Sequence, residues 1–309
     1  MQLRTRFAPS PSGLLHVGNA YSALCCARWA KTNQAELLLR IEDIDAARCH
    51  SEFTAAILKD LRWLGLSWPE PVRQQSQHLA EYQQAINQLR EMDMIYPCFC
   101  SRKSIRLEME RMGIAPHAED KTALYPGICR GLSLHEQEKR MRYEPFAWRL
   151  DIQKALKTVA EQPCWLDGSG NVHAVHIDHD VVIGRKDISF SYHLSVVIDD
   201  AAQDISHVIR GEDLQGSTGI HCLLQNLLDF HQPTYIHHPL LCGTDGERLA
   251  KRHGATTLRS LREAGVNPEQ LQAYLFHCQT LIWPFEQNDN EINSNPAQWQ
   301  AIKTLGRLT

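Results

Sequence analysis

The sequence predicts an α/β protein built on a parallel sheet, with a differently styled segment set into it and a helical stretch after it. Three observations carry that reading. The first third alternates strand-like and helix-like segments, the pattern of parallel strands joined by crossover helices. From Tyr96 to about Gly184 the chain turns to short strand-like pieces and turn signals such as Asp167-Gly168-Ser169-Gly170. The α/β style then returns, and beyond His253 the apolar spacing is helical.

Taken in order, Leu3–Ala8 reads as a short strand, followed by a loop of Pro9, Pro11, Ser12 and Gly13. The spacing of Ala20, Leu24, Ala27 and Ala30 predicts a helix over Gly18–Thr32. The apolar run Glu36–Ile41 predicts a buried strand. Ser51 is placed to cap the next helix, whose inward face is Phe53, Ile57, Leu58 and Leu61. Leu79, Tyr82, Ile86 and Leu89 predict a helix over Ser76–Met94. Phe146–Leu150 and Val172–Ile177 are expected strands of the middle segment. Val196-Val197-Ile198 and His207–Arg210 are expected strands of the returning α/β part, and Thr218–Phe230 its leucine-rich helix. Helices are expected over Thr257–Ala264, Pro268–Gln279 (Pro268 in the first turn) and Pro296–Thr304, with the polar stretch Glu286–Asn295 an exposed loop. The chain therefore divides into residues 1–95 and 185–240 as two halves of a nucleotide-binding domain, 96–184 as an insertion, and 241–309 as a loop with a helical region.

A length of 309 residues suits two domains, or one core carrying a large insertion. With 43% hydrophobic and 22% charged residues the chain can bury a real core, which excludes collagen-like, low-complexity and disordered classes. No run approaches the roughly 18 unbroken apolar residues of a membrane span, and Met1–Phe7 holds no apolar signal region. A cytoplasmic location is the expectation. The net charge of −4 advertises no general basicity, yet Cys98–Leu150 carries ten Lys+Arg against seven Asp+Glu, enough to tolerate RNA. Ten cysteines without a signal segment point to metal binding or buried thiols before disulfides.

Two loops carry chemistry. Arg6-Phe7-Ala8-Pro9-Ser10-Pro11-Ser12-Gly13-Leu14-Leu15-His16-Val17-Gly18-Asn19 leads a strand through a rigid loop into a helix N-terminus. Free backbone N–H groups and the positive end of the helix dipole there suit a phosphate, Gly18 allows close approach, and His16 can donate to a phosphate oxygen. A Pro-rich turn with a solvent-facing histidine would read the same way. Gly243-Thr244-Asp245-Gly246-Glu247-Arg248-Leu249-Ala250-Lys251-Arg252 places three cations within five residues, as matching a departing pyrophosphate requires. Alone, such a run is ordinarily an exposed charged loop.

Together the loops resemble the HIGH-type and KMSKS-type signatures of class I aminoacyl-tRNA synthetases. The closer likeness is to the glutamyl branch, through Arg6-Phe7-Ala8-Pro9-Ser10-Pro11, Arg40-Ile41-Glu42-Asp43, Tyr125-Pro126-Gly127-Ile128-Cys129-Arg130, Ser191-Tyr192-His193-Leu194 and Val208-Ile209-Arg210-Gly211-Glu212-Asp213. Asn19 stands at the second histidine of HIGH, and Ala250 at the serine of KMSKS. The resemblance covers about residues 3–265. Ending at Thr309, with no anticodon-binding region in view, the outline is similar to the short glutamyl-Q tRNA(Asp) synthetase family.

That resemblance implies a Rossmann-like class I fold with an inserted zinc-bearing subdomain and a truncated stem-contact region. It implies tRNA-independent activation of L-glutamate with ATP, then transfer of glutamate to the queuosine base at the wobble position of tRNA(Asp). His16 and Lys251 would be catalytic, and His16, Gly18, Asn19, Arg248 and Lys251 would bind ATP with its Mg²⁺. Arg6, Phe7, Ala8, Pro9, Ser10, Glu42, Tyr192 and Arg210 would bind glutamate. Charge supports part of this: arginine forks suit carboxylates, and Glu42 suits the ammonium group. Cys98, Cys100 and Cys129 have the spacing of three soft zinc ligands; Tyr125 joins them only through the family's C-x-C…Y-x3-C pattern. One structural zinc is implied, in a monomer. The alternatives are a truncated glutamyl-tRNA synthetase charging a 3′ end, and a non-catalytic, zinc-stapled RNA-binding protein.

Overall fold

The computed structural model describes residues 2–111, 125–159, 162–186, 190–243, 256–277 and 282–283. The Gly243–Arg252 loop beyond its first residue, with Arg248, Ala250 and Lys251, lies outside them, as do the expected helix Pro296–Thr304 and loop Glu286–Asn295.

In chain order the elements are β1 (Arg4–Phe7), α1 (Val17–Thr32), β2 (Glu36–Ile41), α2 (Ser51–Trp63), β3 (Arg73–Gln74), α3 (Leu79–Glu91), β4 (Ile95–Cys98) and α4 (Arg102–Arg111). Then come α5 (Leu134–Met141), β5 (Ala147–Leu150), α6 (Ile152–Thr158), β6 (Cys164–Leu166), β7 (Val172–Ala174), β8 (Val181–Gly184) and α7 (Tyr192–Ala202). The last are β9 (His207–Gly211), α8 (Thr218–Leu227), β10 (Thr234–His238), β11 (Cys242–Gly243), α9 (Leu258–Glu263), α10 (Pro268–His277) and β12 (Ile282–Trp283).

These elements gather into two compact units. The first holds the chain up to Gln77, Ile205–Gln215 and the part from Tyr235 on; the second holds His78–Asp204 and Gly216–Thr234. In the first, β1 pairs parallel with β2 from Arg4↔Glu36 to Phe7↔Leu39, and β2 continues parallel to β3. β9 stands by β1, where the Ser206 amide donates to the Arg4 carbonyl at 3.1 Å. The core beneath joins Phe7, Leu24, Leu39, Ile41, Ile57, Leu61, Ile209, Leu258 and Leu271, all buried. Each fully buried aliphatic side chain of this kind contributes roughly 1.5–3 kcal/mol. α9 is fastened from below: Arg262 Nε donates to Asp60 Oδ1 of α2 at 3.1 Å.

In the second unit β4, β5 and β8 form an antiparallel sheet, and β6 and β7 a separate hairpin. Tyr82 Oη of α3 donates to the buried Asp199 Oδ1 of α7 at 2.8 Å. Val175 fills the space above Gly219, where a Cβ would come within 3.0 Å of it.

Four expectations are corrected. Val196-Val197-Ile198 belong to helix α7, not to a strand. Every residue from Leu194 to Asp200 is buried, so the run has no exposed face to show a helical period. His50, not Ser51, occupies the N-cap of α2, and no side chain caps it. The helix expected from Ser76 starts at Leu79, after a 3₁₀ turn at Gln75–Gln77, and ends at Glu91. The strand expected over Val172–Ile177 stops at Ala174: at the next pair the Val175 amide donates to the Pro163 carbonyl at 2.9 Å, but Pro163 has no N–H to continue the ladder. Among the described residues no helix is long and apolar enough to cross a membrane.

Candidate functional site

The N-terminus of α1 is closed by reciprocal hydrogen bonds. His16 Nδ1 accepts the amides of Gly18 at 3.0 Å and Asn19 at 3.3 Å, while Asn19 Oδ1 accepts the His16 amide at 3.1 Å. Two of the four orphan amides of the helix are thereby satisfied by the histidine itself. The amides of Val17 and Ala20 go to the Thr256 and His16 carbonyls at 3.2 and 3.1 Å, so the free N–H groups expected at this terminus are all paired. An Nδ1 that accepts carries no proton, so the neutral ring holds its proton on Nε2. Burial pushes the His16 pKa down, which keeps the ring neutral. The result is an N–H donor fixed at the positive end of a helix dipole. Gly18 serves this arrangement directly, since a Cβ there would lie 2.9 Å from His16 Cε1. Asn19, at the position of a second histidine, supplies the other half of the cap.

The loop before His16 is pinned on both sides. The Glu42 amide donates to the Pro9 carbonyl and the His50 amide to the Pro11 carbonyl, each at 3.0 Å. Behind it, the Val17 amide donates to the Thr256 carbonyl at 3.2 Å and the Leu258 amide to the Leu15 carbonyl at 2.8 Å. Phe7 and Pro9 are buried, Ala8 is half-buried and Ser10 is exposed.

Three charged side chains expected to select a substrate stand in this same unit, each at or just past the carboxyl end of a strand. Arg6 is 4% exposed, Glu42 9% and Arg210 5%. The Cys26 thiol of α1 donates to the Arg6 and Ile209 carbonyls, at 3.5 Å each, which sets the ends of β1 and β9 side by side. The carboxyl ends of strands are where open α/β sheets bind ligands. The fully buried Arg40 donates to Glu42 Oε1 at 3.3 Å, and Arg210 Nε donates to His237 Nε2 at 3.3 Å. Arg40 is named from the sequence only within the Arg40-Ile41-Glu42-Asp43 motif and given no role, though a charged residue inside the apolar run Leu37–Ile41 is a signal for one; His237 is not singled out. Tyr192 opens α7 in the second unit, half-buried beside the rings of His193 and His221. Arg248 and Lys251 lie outside the described residues.

The second unit also brings its expected ligand set together. Cys98, Cys100 and Cys129 present sulfur atoms within 4.8 Å of one another. Cys100 Sγ is 3.5 Å from Cys129 Sγ. Tyr125 Oη lies 3.5 Å from Cys98 Sγ and 4.0 Å from Cys100 Sγ, and accepts the Cys129 amide at 2.8 Å. Tetrahedral zinc with Zn–S near 2.3 Å needs sulfurs about 3.8 Å apart, so the donor set fits. The Cys129 neighbour brings the Cys98 thiol down to about 4, against burial, while Cys98 in turn pushes the Cys129 thiol up. A divalent metal would have to displace the protons that remain. Among the described residues no other group of three such ligands occurs. His173 instead stacks on the Trp165 ring, with 4.1 Å between centroids, and pairs with Asp167 at 2.8 Å.

Comparison with known proteins shows what the chain is similar to. The family model described as tRNA synthetases class I (E and Q), catalytic domain, matches residues 2–295. A glutamyl-Q tRNA(Asp) synthetase of Rhodobacter capsulatus is 40% identical, over 87% of this chain and 98% of its own. One of Nocardia farcinica is 41% identical, over 87% and 82%. A glutamate–tRNA ligase of Aquifex aeolicus is 39% identical over 98% of this chain but 65% of its own length. Among solved structures, a glutamate tRNA ligase from Elizabethkingia meningosepticum, in complex with its amino acid, superimposes with a TM-score of 0.64 at 27% identity. That match covers 85% of this chain, which spans about half, 53%, of the ligase.

Proposed function

We propose a reaction for this chain on the premise of its family: it belongs to the class I tRNA synthetases of the E and Q type and is an ATP-dependent ligase. The reaction is activation of L-glutamate with ATP, without tRNA, followed by transfer of the glutamyl group to the queuosine base at the wobble position of tRNA(Asp). One observation carries the chemistry: a neutral His16 capping α1 with its proton on Nε2. The choice of acceptor rests on likeness to relatives that bear that name.

In the first step a glutamate α-carboxylate oxygen attacks the α-phosphorus of ATP. The bond from that phosphorus to the bridging oxygen breaks, and pyrophosphate leaves. The protein needs no nucleophile; it positions and stabilises charge. His16 Nε2–H donates to the phosphate oxygens as charge develops, with the Gly18 and Asn19 region at the helix N-terminus. Arg248 and Lys251 match the pyrophosphate, and Mg²⁺ accompanies the nucleotide. Arg6 and Arg210 take the two carboxylates of glutamate and Glu42 its ammonium group, with Phe7, Ala8, Pro9 and Ser10 as further binding residues of the first unit; a role for Tyr192 rests on the family resemblance alone. In the second step a hydroxyl of the queuosine cyclopentenediol attacks the adenylate carbonyl, its proton is lost and AMP leaves.

Cys98, Cys100, Tyr125 and Cys129 would hold zinc, whose contribution is structural: it crosslinks an inserted subdomain. A cytoplasmic monomer belongs to the same reading. The test has two stages. ATP–pyrophosphate exchange is measured with each amino acid and no tRNA, then labelled glutamate is offered to tRNA(Asp) with and without queuosine. Glutamate-dependent exchange and queuosine-dependent transfer are expected. Transfer to a tRNA 3′ end, or transfer indifferent to queuosine, overturns the acceptor; no exchange with any amino acid overturns the activation step.

A further inference from the structure

Arg149 lies on β5, opposite Tyr96 of β4, and is 9% exposed. Its guanidinium carbon sits 3.7 Å from the centroid of the Tyr125 ring. One Nη donates to the backbone carbonyl of Asp180 at 2.8 Å, and the buried Nε has no hydrogen-bond partner. The carboxylate of Asp180 is committed elsewhere. Its Oδ2 accepts from Arg130, at 2.8 and 2.6 Å, and from Tyr96 Oη, and its Oδ1 accepts the Ile152 amide at 3.0 Å. Arg149 therefore meets Asp180 through a neutral carbonyl, and its charge is turned toward the cysteine–tyrosine cluster.

We propose that Arg149 is the counter-charge of the Cys98–Cys100–Tyr125–Cys129 cluster and a positioning residue that governs how long the cluster retains zinc. The inference rests on the zinc reading above. Three thiolates and a dication leave one net negative charge, and a buried charge of that kind is costly unless paired. Arg149 is a buried cation lying on the ring of one of the four ligands, Tyr125, whose Oη is 3.5 Å from Cys98 Sγ. Lys186 approaches from the solvent side, where its Nζ donates to the Phe99 and Cys100 carbonyls at 3.0 and 3.2 Å. The planar guanidinium also lies on the Tyr125 ring, and so fixes the direction of a hydroxyl already tied to the Cys129 amide.

The experiment loads the full chain with Zn²⁺ and follows metal transfer to a chromophoric chelator. Wild type is compared with R149Q, which keeps a planar donor for the Asp180 carbonyl but loses the charge, and with R149K, which keeps the charge. Loss of outer partners of metal ligands typically weakens binding about 10–100-fold. R149Q is expected to release zinc faster by about that factor, and R149K to stay close to wild type. The thiolate-to-metal absorption of the Co²⁺-loaded protein should shift in R149Q alone. A wild-type release rate in folded R149Q overturns the proposal, as does R149K releasing as fast as R149Q. If R149Q does not fold, R149K decides: slow release supports the counter-charge and fast release overturns it. A wild-type chain that binds no zinc overturns the inference together with the metal reading, while glutamate-dependent exchange still tests the reaction by itself.

Discussion

The imidazole of His16 and the missing side chain of Gly18 occupy one another's space: Nδ1 accepts the Gly18 amide at 3.0 Å, and a Cβ on Gly18 would stand 2.9 Å from the ring. The glycine thus makes room for the histidine cap.

Cap and chemistry at this position are separable by substitution. Asparagine is a strong N-cap but places no N–H where His16 Nε2 lies. H16N is expected to keep the wild-type melting temperature to within a few degrees and to lose glutamate-dependent exchange by about 10²–10³-fold. G18A is expected to displace the ring, lowering kcat by roughly 10²-fold and stability by about 1 kcal/mol. Exchange kinetics beside thermal unfolding check both; an active H16N would remove His16 from the chemistry.

Arg210 is held through His237. H237A is expected to release the guanidinium and raise the KM for glutamate about tenfold with less effect on kcat, since one hydrogen bond to a charged group is worth about 1.5–3 kcal/mol. H237Q, which retains an acceptor, should restore most of the loss. R210K cannot form the fork and should raise KM further. Steady-state exchange at varied glutamate measures the split.

Acid should destabilise the first unit. Burial lowers the pKa of His16, His207 and His238 below the ordinary 6.5. For His238, Asp213 and Glu212 pull the other way, and burial dominates. Below pH 6.5 the unfolded chain takes up protons that the fold refuses, so stability is complete above 6.5 and falls as pH drops toward the lowered values. Urea unfolding between pH 7.5 and 5 is expected to show this decline. H238N, replacing the ring that Ser22 Oγ contacts at 2.8 Å, should flatten it.

The Asp60–Arg262 pair fastens α9 to α2, with the Asp60 side chain fully buried and that of Arg262 18% exposed. Burial raises the Asp60 pKa, and Arg262 opposes the rise. R262M leaves the carboxylate without that partner and should cost about 3 kcal/mol at neutral pH. The loss should shrink as acid protonates Asp60, because the raised group binds its proton before an unfolded one does. Denaturant titrations at two pH values test the sign.

Local pattern made much of this protein readable from the chain. The helical spacing of Ala20, Leu24 and Ala30 and the apolar run Glu36–Ile41 mark α1 and β2, because a parallel strand buried on both faces and a helix with one wet face differ in period. The spacing of Cys98, Cys100 and Cys129 likewise marks three soft donors before any geometry, and Tyr125 joins them only through the resemblance. Where burial removed the period, as along Leu194–Asp200 of α7, the chain read as a strand and only packing revealed a helix. Tertiary structure alone decided which cation serves which anion. Nothing in the sequence shows that the Asp180 carboxylate is spent on Arg130 and Tyr96 while Arg149 lies on the Tyr125 ring, or that Arg210 leans on His237. Periodicity is a property of neighbours along the chain, whereas the pairing of buried charges depends on groups tens of residues apart meeting where water is excluded.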